Sequence, residues 1–486
     1  MKLKKLLDGV AVLETNINLQ QDITDVHYDS RKVTAGSVFV AITGFAADGN
    51  RFIPMALEKG AVAVVTAKKP ADDIPYILVK NDRLALAQIG ANFFSHPASS
   101  MTLIGVTGTN GKTSATLLLK HILEKTLGAK VGLIGTMENL IGDTVIPTER
   151  TTPESFDLQA LFARMRDSGC TYVVMEVSSH AIALERVGGV RFQVTAFTNL
   201  TEDHLDFHKT MESYCDTKKL LFSRCDKAVM NRDDDWFGRM SSAATCDILT
   251  TSVAGKGDLN AQNVVLNSDG IAFTAEIAGS RAEINLPIPG RFTVYNALTA
   301  LGIAMQLGIS LADAGKALAT AKGIRGRVEV VPTPGKPYTV LIDYAHTPDG
   351  LENVLKSVRD FCKGRLIAVF GCGGDRDPMK RPIMGRIGVT LSDIAVITSD
   401  NPRSEDPMAI ISDILKGVED TMGEYTVVEN RKKAINYAMD IAQKNDIIVL
   451  AGKGHETYQE ICGVKHHLDE REVVAEHLAA MEENNG

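Results

Sequence analysis

Short, wholly apolar runs alternate with helical stretches through most of this 486-residue sequence, and that alternation limits the folds open to it. Residues 101–107, 130–135 and 171–177 read as buried strands, and 112–127 reads as a helix. The pattern resumes with strands at 338–343, 366–370, 394–398 and 446–450 and helices at 348–361 and 408–416. A strand apolar at nearly every position has both faces covered, so each stretch predicts a mostly parallel sheet flanked by helices. Residues 255–288 read instead as short antiparallel strands, followed by an apolar helix over 293–307. The first hundred residues mix apolar runs such as 37–42 with helical pieces such as 52–59. Loop-like 95–100 and turn-rich 326–332 mark boundaries, so the expectation is an α/β chain of three domains: 1–98, 99–328 and 329–486.

Composition narrows the function. The net charge is −8, from 52 Lys and Arg against 60 Asp and Glu, with no basic stripe, which argues against nucleic acid as a partner. No run of about 18 apolar residues is present, so no membrane-spanning helix is expected. The 7 cysteines are scattered and form no C-x-x-C pair, which points to reduced thiols in the cytoplasm rather than structural zinc or disulfides. Asp8 interrupts the apolar patch after the first lysines and no small-residue cleavage site follows, so no signal peptide is expected.

The sharpest local signal is Gly108, Thr109, Asn110, Gly111, Lys112, Thr113 and Ser114, between a strand and a helix. Backbone N–H groups in such a loop, backed by the helix dipole, make a seat for polyphosphate. Lys112 would neutralise the outer phosphates and the Thr113 hydroxyl would ligate Mg²⁺. The pattern is the shorter G-x-x-G-K-T, because Val106 stands where the longer motif has its first glycine. ATP is expected rather than GTP, since no N-K-x-D motif is evident.

Glu176 closes a buried strand near this loop, where a carboxylate suits Mg²⁺. His204 and His208 stand four apart in an acidic segment with Thr201 or Asp203 as the expected helix cap. Lys218 and Lys219, read plainly, belong to a solvated helix surface.

Together the blocks 108–113, 176–180, 199–208, 214–222, 290–296, 326–329, 343–348 and 451–456 resemble the Mur ligases, the ATP-dependent peptide-forming enzymes of bacterial cell-wall synthesis. The resemblance runs through nearly the whole chain in one order. It implies an N-terminal UDP-substrate-binding α/β domain, a central P-loop ATPase domain with a mostly parallel sheet, and a C-terminal Rossmann-like domain that reads the acceptor amino acid. Residues 343–351 and the run Asp400, Asn401, Pro402, Arg403 resemble the member that adds the third amino acid. The implied reaction joins meso-diaminopimelate to UDP-N-acetylmuramoyl-L-alanyl-D-glutamate through an acyl phosphate, with ATP and Mg²⁺, in a cytoplasmic monomer.

Carried over residue by residue, the resemblance gives Lys112, Glu176, His204 and Lys218 to catalysis. It gives Thr113, Glu176, His204 and Lys218 to the metals, with Lys218 as an N6-carboxylysine. An N-carboxylated lysine offers Mg²⁺ a carboxylate where an ammonium would repel it. Asn296, Arg327 and Asp343 approach the nucleotide along with residues 108–114. Ser30, Phe45, Ala46, Ala47, Thr151, Thr152, Ser179 and Arg186 approach the UDP-substrate. Arg381, Asp400, Asn401, Pro402, Arg403, Gly452 and Glu456 approach the amino acid. The chain departs from the family pattern at Arg150, Leu184 and Thr293, where the family often has Asn, Gln and Asn.

Diaminopimelate carries a second carboxylate and ammonium. Arg403 and Arg381 suit the carboxylate, because a planar guanidinium grips it bidentately, and Glu456 suits the ammonium. Alternatives are the same ligation with L-lysine, a folylpolyglutamate-synthase-like ligase, a P-loop phosphotransferase, and an ATP-gated binding protein.

Overall fold

The structure is a computed structural model that describes residues 1–44, 48–71, 73–148 and 150–483. Phe45, Ala46 and Ala47, expected at the UDP-substrate, lie outside the described residues. The chain folds as two compact units, Met1–Thr250 with Gly302–Ile309, and Thr251–Leu301 with Ser310–Gly486.

The first unit holds two sheets. The N-terminal one runs Val12–Thr15, Tyr76–Val79, Ala63–Thr66, Val38–Val40, Val26–His27, parallel except at its first edge. Val38, Val40, Val65 and Ile77 bury against Leu3, Leu6, Leu86 and Ile89. The expected helix over 52–59 is a 3-10 turn, Gly49–Phe52, continuing into the helix Ile53–Glu58, with Asp48 capping the turn.

In the second sheet, strand Thr102–Thr107 lies between Tyr172–Glu176 and Phe192–Phe197, parallel to both. Val131–Ile134 and Cys225–Asn231 extend it, again in parallel. Every residue of Thr102–Thr107 after the first is buried, as its apolar text requires. Helix Lys112–Leu127 follows and stops at Gly128, in the left-handed conformation common at helix ends. Phe162, Met175, Phe192, Phe197 and Phe222 anchor the core beneath the loop.

The second unit carries the expected antiparallel strands, Leu259–Asn267, Gly270–Ile277 and Ser280–Leu286. Its main sheet is ordered Glu329–Val331, Thr339–Asp343, Ile447–Ala451, Leu366–Phe370, Ile394–Ile397, Glu424–Val427, parallel except at the first strand. The late strand Ile447–Ala451 inserts between two earlier ones, which departs from the common dinucleotide-binding order. The loop after it therefore emerges between the loops that follow Asp343 and Phe370. Helices Lys380–Leu391, Arg431–Ile441 and Glu470–Glu483 complete the layers. The first of these reads poorly in sequence because Pro382, Gly385 and Gly388 lie inside it.

Candidate active site

Strand Thr102–Thr107 delivers Gly108 to the carboxyl end of the sheet, where ligands of open α/β sheets bind. Gly108 has φ +150°, and a Cβ there would sit 1.9 Å from Thr198 Oγ1. Only glycine lets the loop press onto the segment 198–201. That segment braces the loop closely. Thr198 Oγ1 donates to Asn110 O at 2.6 Å, Asn199 Oδ1 accepts Asn110 N at 2.9 Å, and Asn199 O accepts Thr109 N at 2.8 Å. Helix Lys112–Leu127 begins after Gly111 with no side-chain cap. The first N–H groups of a helix lack intrahelical acceptors, which makes this end a seat for an anion. Lys112 Nζ donates to Gly108 O at 2.9 Å and Thr109 O at 2.7 Å, so its charge folds back over the loop.

Beside the loop, Thr113 Oγ1 donates to Glu176 Oε1 at 2.9 Å. Glu176 is buried, and its carboxylate also accepts Thr136 N at 3.0 Å and Thr136 Oγ1 at 2.9 Å. Thr136 Oγ1 reaches Thr151 Oγ1 at 3.0 Å, and Thr152 Oγ1 donates to Glu176 O at 2.8 Å. Thr151 is thereby linked to the carboxylate through Thr136, and Thr152 to the Glu176 main chain. Thr136 escaped the sequence reading; it follows a buried strand end, which is the available signal.

Lys218 overturns its plain sequence reading. Its side chain is buried, with Nζ donating to Gly108 O at 2.9 Å and lying 4.8 Å from the centre of the Tyr214 ring. Burial, with Lys112 adding repulsion, drives its pKa well below that of ordinary lysine. Lys219 instead pairs with Asp216 at 2.7 Å. Neither expected cap serves the short helix Leu205–His208: His204 takes the cap position itself, with φ 55°, and Asp203 Oδ1 accepts its N–H. The His204 and His208 rings both pack on His180, and His208 Nε2 lies 2.8 Å from Ser179 Oγ. Burial, then His180, pushes the His208 pKa down to about 4, so this imidazole is neutral near pH 7. Among the described residues, no group of three or more His, Cys, Asp and Glu side chains is placed to hold a metal ion. The oxygen donors at the loop are Thr113 and Glu176.

Arg186 Nη1 donates to Thr152 O at 3.2 Å, and Arg186 also faces the buried Glu154 at 3.5 Å. Arg83 and Arg150 approach the same carboxylate at 3.4 and 3.9 Å. Arg83 comes from the helix Asp82–Phe93 behind the N-terminal sheet, so Glu154 ties that sheet to the one carrying the Gly108 loop. Sequence alone does not show this, since Arg83 and Arg186 lie far from Glu154 in the chain and only Arg150 is near it. Ser30 is buried against Met55, beside an Asp29–Arg31 fork at 2.8 Å.

In the second unit, Asn296 is buried on the helix Arg291–Gln306. Arg327 stacks over the Tyr344 ring at 5.3 Å. Asp343 is buried, accepts Val328 N at 2.8 Å, and has its pKa raised by burial against the opposing pull of Arg327. The Asp400, Asn401, Pro402, Arg403 turn meets the loop after Ala451. Asn401 Nδ2 donates to Glu456 Oε2 at 2.9 Å, and the buried Lys453 donates to both residues, to Asn401 Oδ1 at 3.1 Å and Glu456 Oε2 at 2.9 Å. Arg403 has φ 52°, and its Nη1 donates to Gly374 O at 2.8 Å. Arg381 is buried, with its two Nη groups on Asp413 at 3.0 Å and Glu405 at 2.8 Å. Its fork is thus occupied within the fold. Arg403 Nε also faces Glu460 Oε2 at 3.4 Å, whereas Arg376 is exposed and its Nη1 donates to Asp375 O at 2.9 Å.

A phosphate-gripping loop at a parallel strand's carboxyl end, with a buried carboxylate on its threonine, defines an α/β nucleotide-binding enzyme. Family models match as the Mur ligase family catalytic domain over 22–94, the Mur ligase middle domain over 106–304 and the Mur ligase glutamate ligase domain over 326–454. A UDP-N-acetylmuramoyl-L-alanyl-D-glutamate–2,6-diaminopimelate ligase of Clostridium tetani is 49% identical over 483 residues, covering 98% of this chain and 99% of that one. A Clostridium acetobutylicum ligase of the same description, numbered 1, is 48% identical over 481 residues, covering 98% and 99%. A solved structure of a ligase so described has a TM-score of 0.74 at 30% identity and covers 99% of both chains. The chain belongs to the Mur ligase family, as its sequence resemblance implied.

Proposed function

We infer that the chain is an ATP-dependent acid–amino-acid ligase that adds meso-diaminopimelate to UDP-N-acetylmuramoyl-L-alanyl-D-glutamate in peptidoglycan synthesis. The observation that carries the chemistry is the loop Gly108–Ser114 region with Lys112 folded over it and Thr113 hydrogen-bonded to Glu176. The specificity rests on the guanidinium of Arg403, which borders Gly373.

In this reading a D-Glu carboxylate oxygen, the γ one, attacks the γ-phosphorus of ATP and ADP leaves. The diaminopimelate amine then attacks the acyl phosphate carbon. The tetrahedral adduct expels phosphate and leaves the amide. Lys112 and the loop N–H groups offset charge on the transferring phosphoryl, the main task of the protein in such steps. Thr151, Thr152, Ser179 and Arg186 hold the muramoyl-dipeptide, and Ser30 serves its UDP end. Asn296, Arg327 and Asp343 serve the nucleotide.

The donor set fits Mg²⁺: a hydroxyl and a buried carboxylate, both hard oxygens, touch beside the phosphate seat. Thr113 and Glu176 would hold one ion, and His204 with a carbamylated Lys218 the other. When bound, the metal supplies positive charge to the phosphate oxygens. A neutral amine is the form that captures CO₂, and the wholly buried Lys218, its pKa lowered, supports the N6-carboxylysine reading.

Arg403 meets the distal carboxylate of diaminopimelate and Glu456 its ammonium. Arg381 supports the site through Glu405 and Asp413. L-lysine lacks that carboxylate and would forgo the bidentate contact with Arg403. The N-terminal UDP module disfavours a folate-type ligase. Proposed module boundaries are 1–98, 99–328 and 329–486. A monomer working in the cytoplasm fits seven free cysteines, with no helix among the described residues long and apolar enough to cross a membrane. The test is phosphate release with the nucleotide-sugar and either meso-diaminopimelate or L-lysine. Release that depends on the sugar and on diaminopimelate is expected; release independent of both excludes the reading.

A further inference from the structure

Arg431 opens the helix Arg431–Ile441, yet its side chain is completely buried. A buried guanidinium is costly unless paired, and an ion pair inside a protein is a poor source of stability, so its presence calls for another role. Its three arms reach three separate elements. Nε donates to Glu470 Oε1 at 2.8 Å, on the first residue of the helix Glu470–Glu483. Nη2 donates to Ala451 O at 2.8 Å, at the end of the strand Ile447–Ala451. Nη1 faces Asp400 Oδ2 at 3.8 Å. Neither Nη1 nor Asp400 Oδ2 has a hydrogen-bond partner, and both atoms are buried.

Asp400 has no room to touch a ligand with that oxygen. A Cβ on Gly452 would lie 2.6 Å from Asp400 Oδ2, and Gly452 has φ +117°, so glycine is what admits the carboxylate. Its other oxygen accepts Asn401 N at 2.7 Å, and its carbonyl accepts Gln459 Nε2 at 2.5 Å. Asp400 is therefore held from behind by Arg431 and shapes the turn ahead of it. Arg403 takes its left-handed conformation within that turn, its backbone N–H on Glu460 O and its carbonyl receiving Cys462 N–H.

We propose that Arg431, locked by Glu470, is the positioning residue of the acceptor turn: it pins Asp400 against Gly452 so that Arg403 faces the incoming amino acid. This rests on the reading of 400–403 as the diaminopimelate-recognition turn. Glu470 keeps the arginine aligned along one arm, and Ala451 O fixes the second. Substitution by lysine retains charge but not the three-way geometry.

The test compares R431K, D400N, the double variant and R403A in the full-length enzyme, with KM for ATP, nucleotide-sugar and meso-diaminopimelate measured separately. R431K and D400N are each expected to raise the diaminopimelate KM about tenfold, with the other two KM values within about twofold. The double variant is expected to resemble either single one, because both break the same pin. Melting temperature is measured for all four. An unchanged diaminopimelate KM in folded R431K and D400N, beside a raised one in R403A, overturns the pin. So do additive effects spread over all three substrates, the mark of a merely structural residue. If R403A itself leaves the diaminopimelate KM unchanged, the acceptor reading fails instead.

Discussion

Replacing Gly108 by alanine tests whether the phosphate loop works by close approach. The added methyl lands 1.9 Å from Thr198 Oγ1 and 3.0 Å from Asn199 O. Ordinary contact needs about 3.5 Å, so Thr198 must retreat by roughly 1.5 Å. That breaks its 2.6 Å bond to Asn110 O, which fixes the middle of the loop. The left-handed φ adds strain of about 1–3 kcal/mol for a residue with a Cβ, and the lost hydrogen bond about 1 kcal/mol. A penalty near 3 kcal/mol corresponds to roughly hundredfold weaker nucleotide binding. Titration calorimetry with ADP and a non-hydrolysable ATP analogue measures it. Thr198→Ala in the same chain removes the nearest clashing atom, so the double variant should bind more tightly than Gly108→Ala alone. Binding by Gly108→Ala within about threefold of the parent, or a double variant whose losses simply add, refutes the steric reasoning.

Arg403→Ala should lose activity with meso-diaminopimelate far more than any residual activity with L-lysine; equal loss, or none, removes the specificity argument. Enzyme stripped of CO₂ should lose activity and regain it with bicarbonate, whereas Lys218→Ala should not respond. Chelation by EDTA should stop phosphate release and Mg²⁺ restore it; release that persists through chelation contradicts the oxygen-donor site at Thr113 and Glu176. The Asp29 carboxyl is held at about 2 by hydrogen bonds from Arg31. Its folded pKa lies below the unfolded value of about 3.9, so its stabilisation is present above that value and fades as pH falls towards 2. Arg31→Ala should raise the pH of acid unfolding, modestly because Arg31 is exposed. No change in the acid midpoint, or a shift the other way, counts against that linkage.

The alternation of apolar runs and helices specifies both main sheets, and the glycine pair with a lysine at a helix start specifies the phosphate loop, because those signals are local. The strand 366–370 and the helix 112–127 fall where the pattern puts them. The interior helix with Pro382 and its glycines did not show, because packing on the sheet overrides weak local propensity there. Lys218 reads as surface in sequence, and only its burial under the loop shows how desolvation alters the amine. Arg381 and Arg403 are both arginines near one motif, and only folding brings in Glu405 and Asp413 to take up Arg381.

The sequence by itself determined the α/β class, the order of modules, the phosphate-binding chemistry and the family. Tertiary structure alone decided the insertion of Ile447–Ala451 between older neighbours, the convergence of three arginines on Glu154, and the Arg431 pin behind Asp400. The physical reason is range. Turn chemistry and periodicity act over a few residues, whereas the pairs Arg431–Asp400 and Arg83–Glu154 join partners 31 and 71 residues apart in the chain.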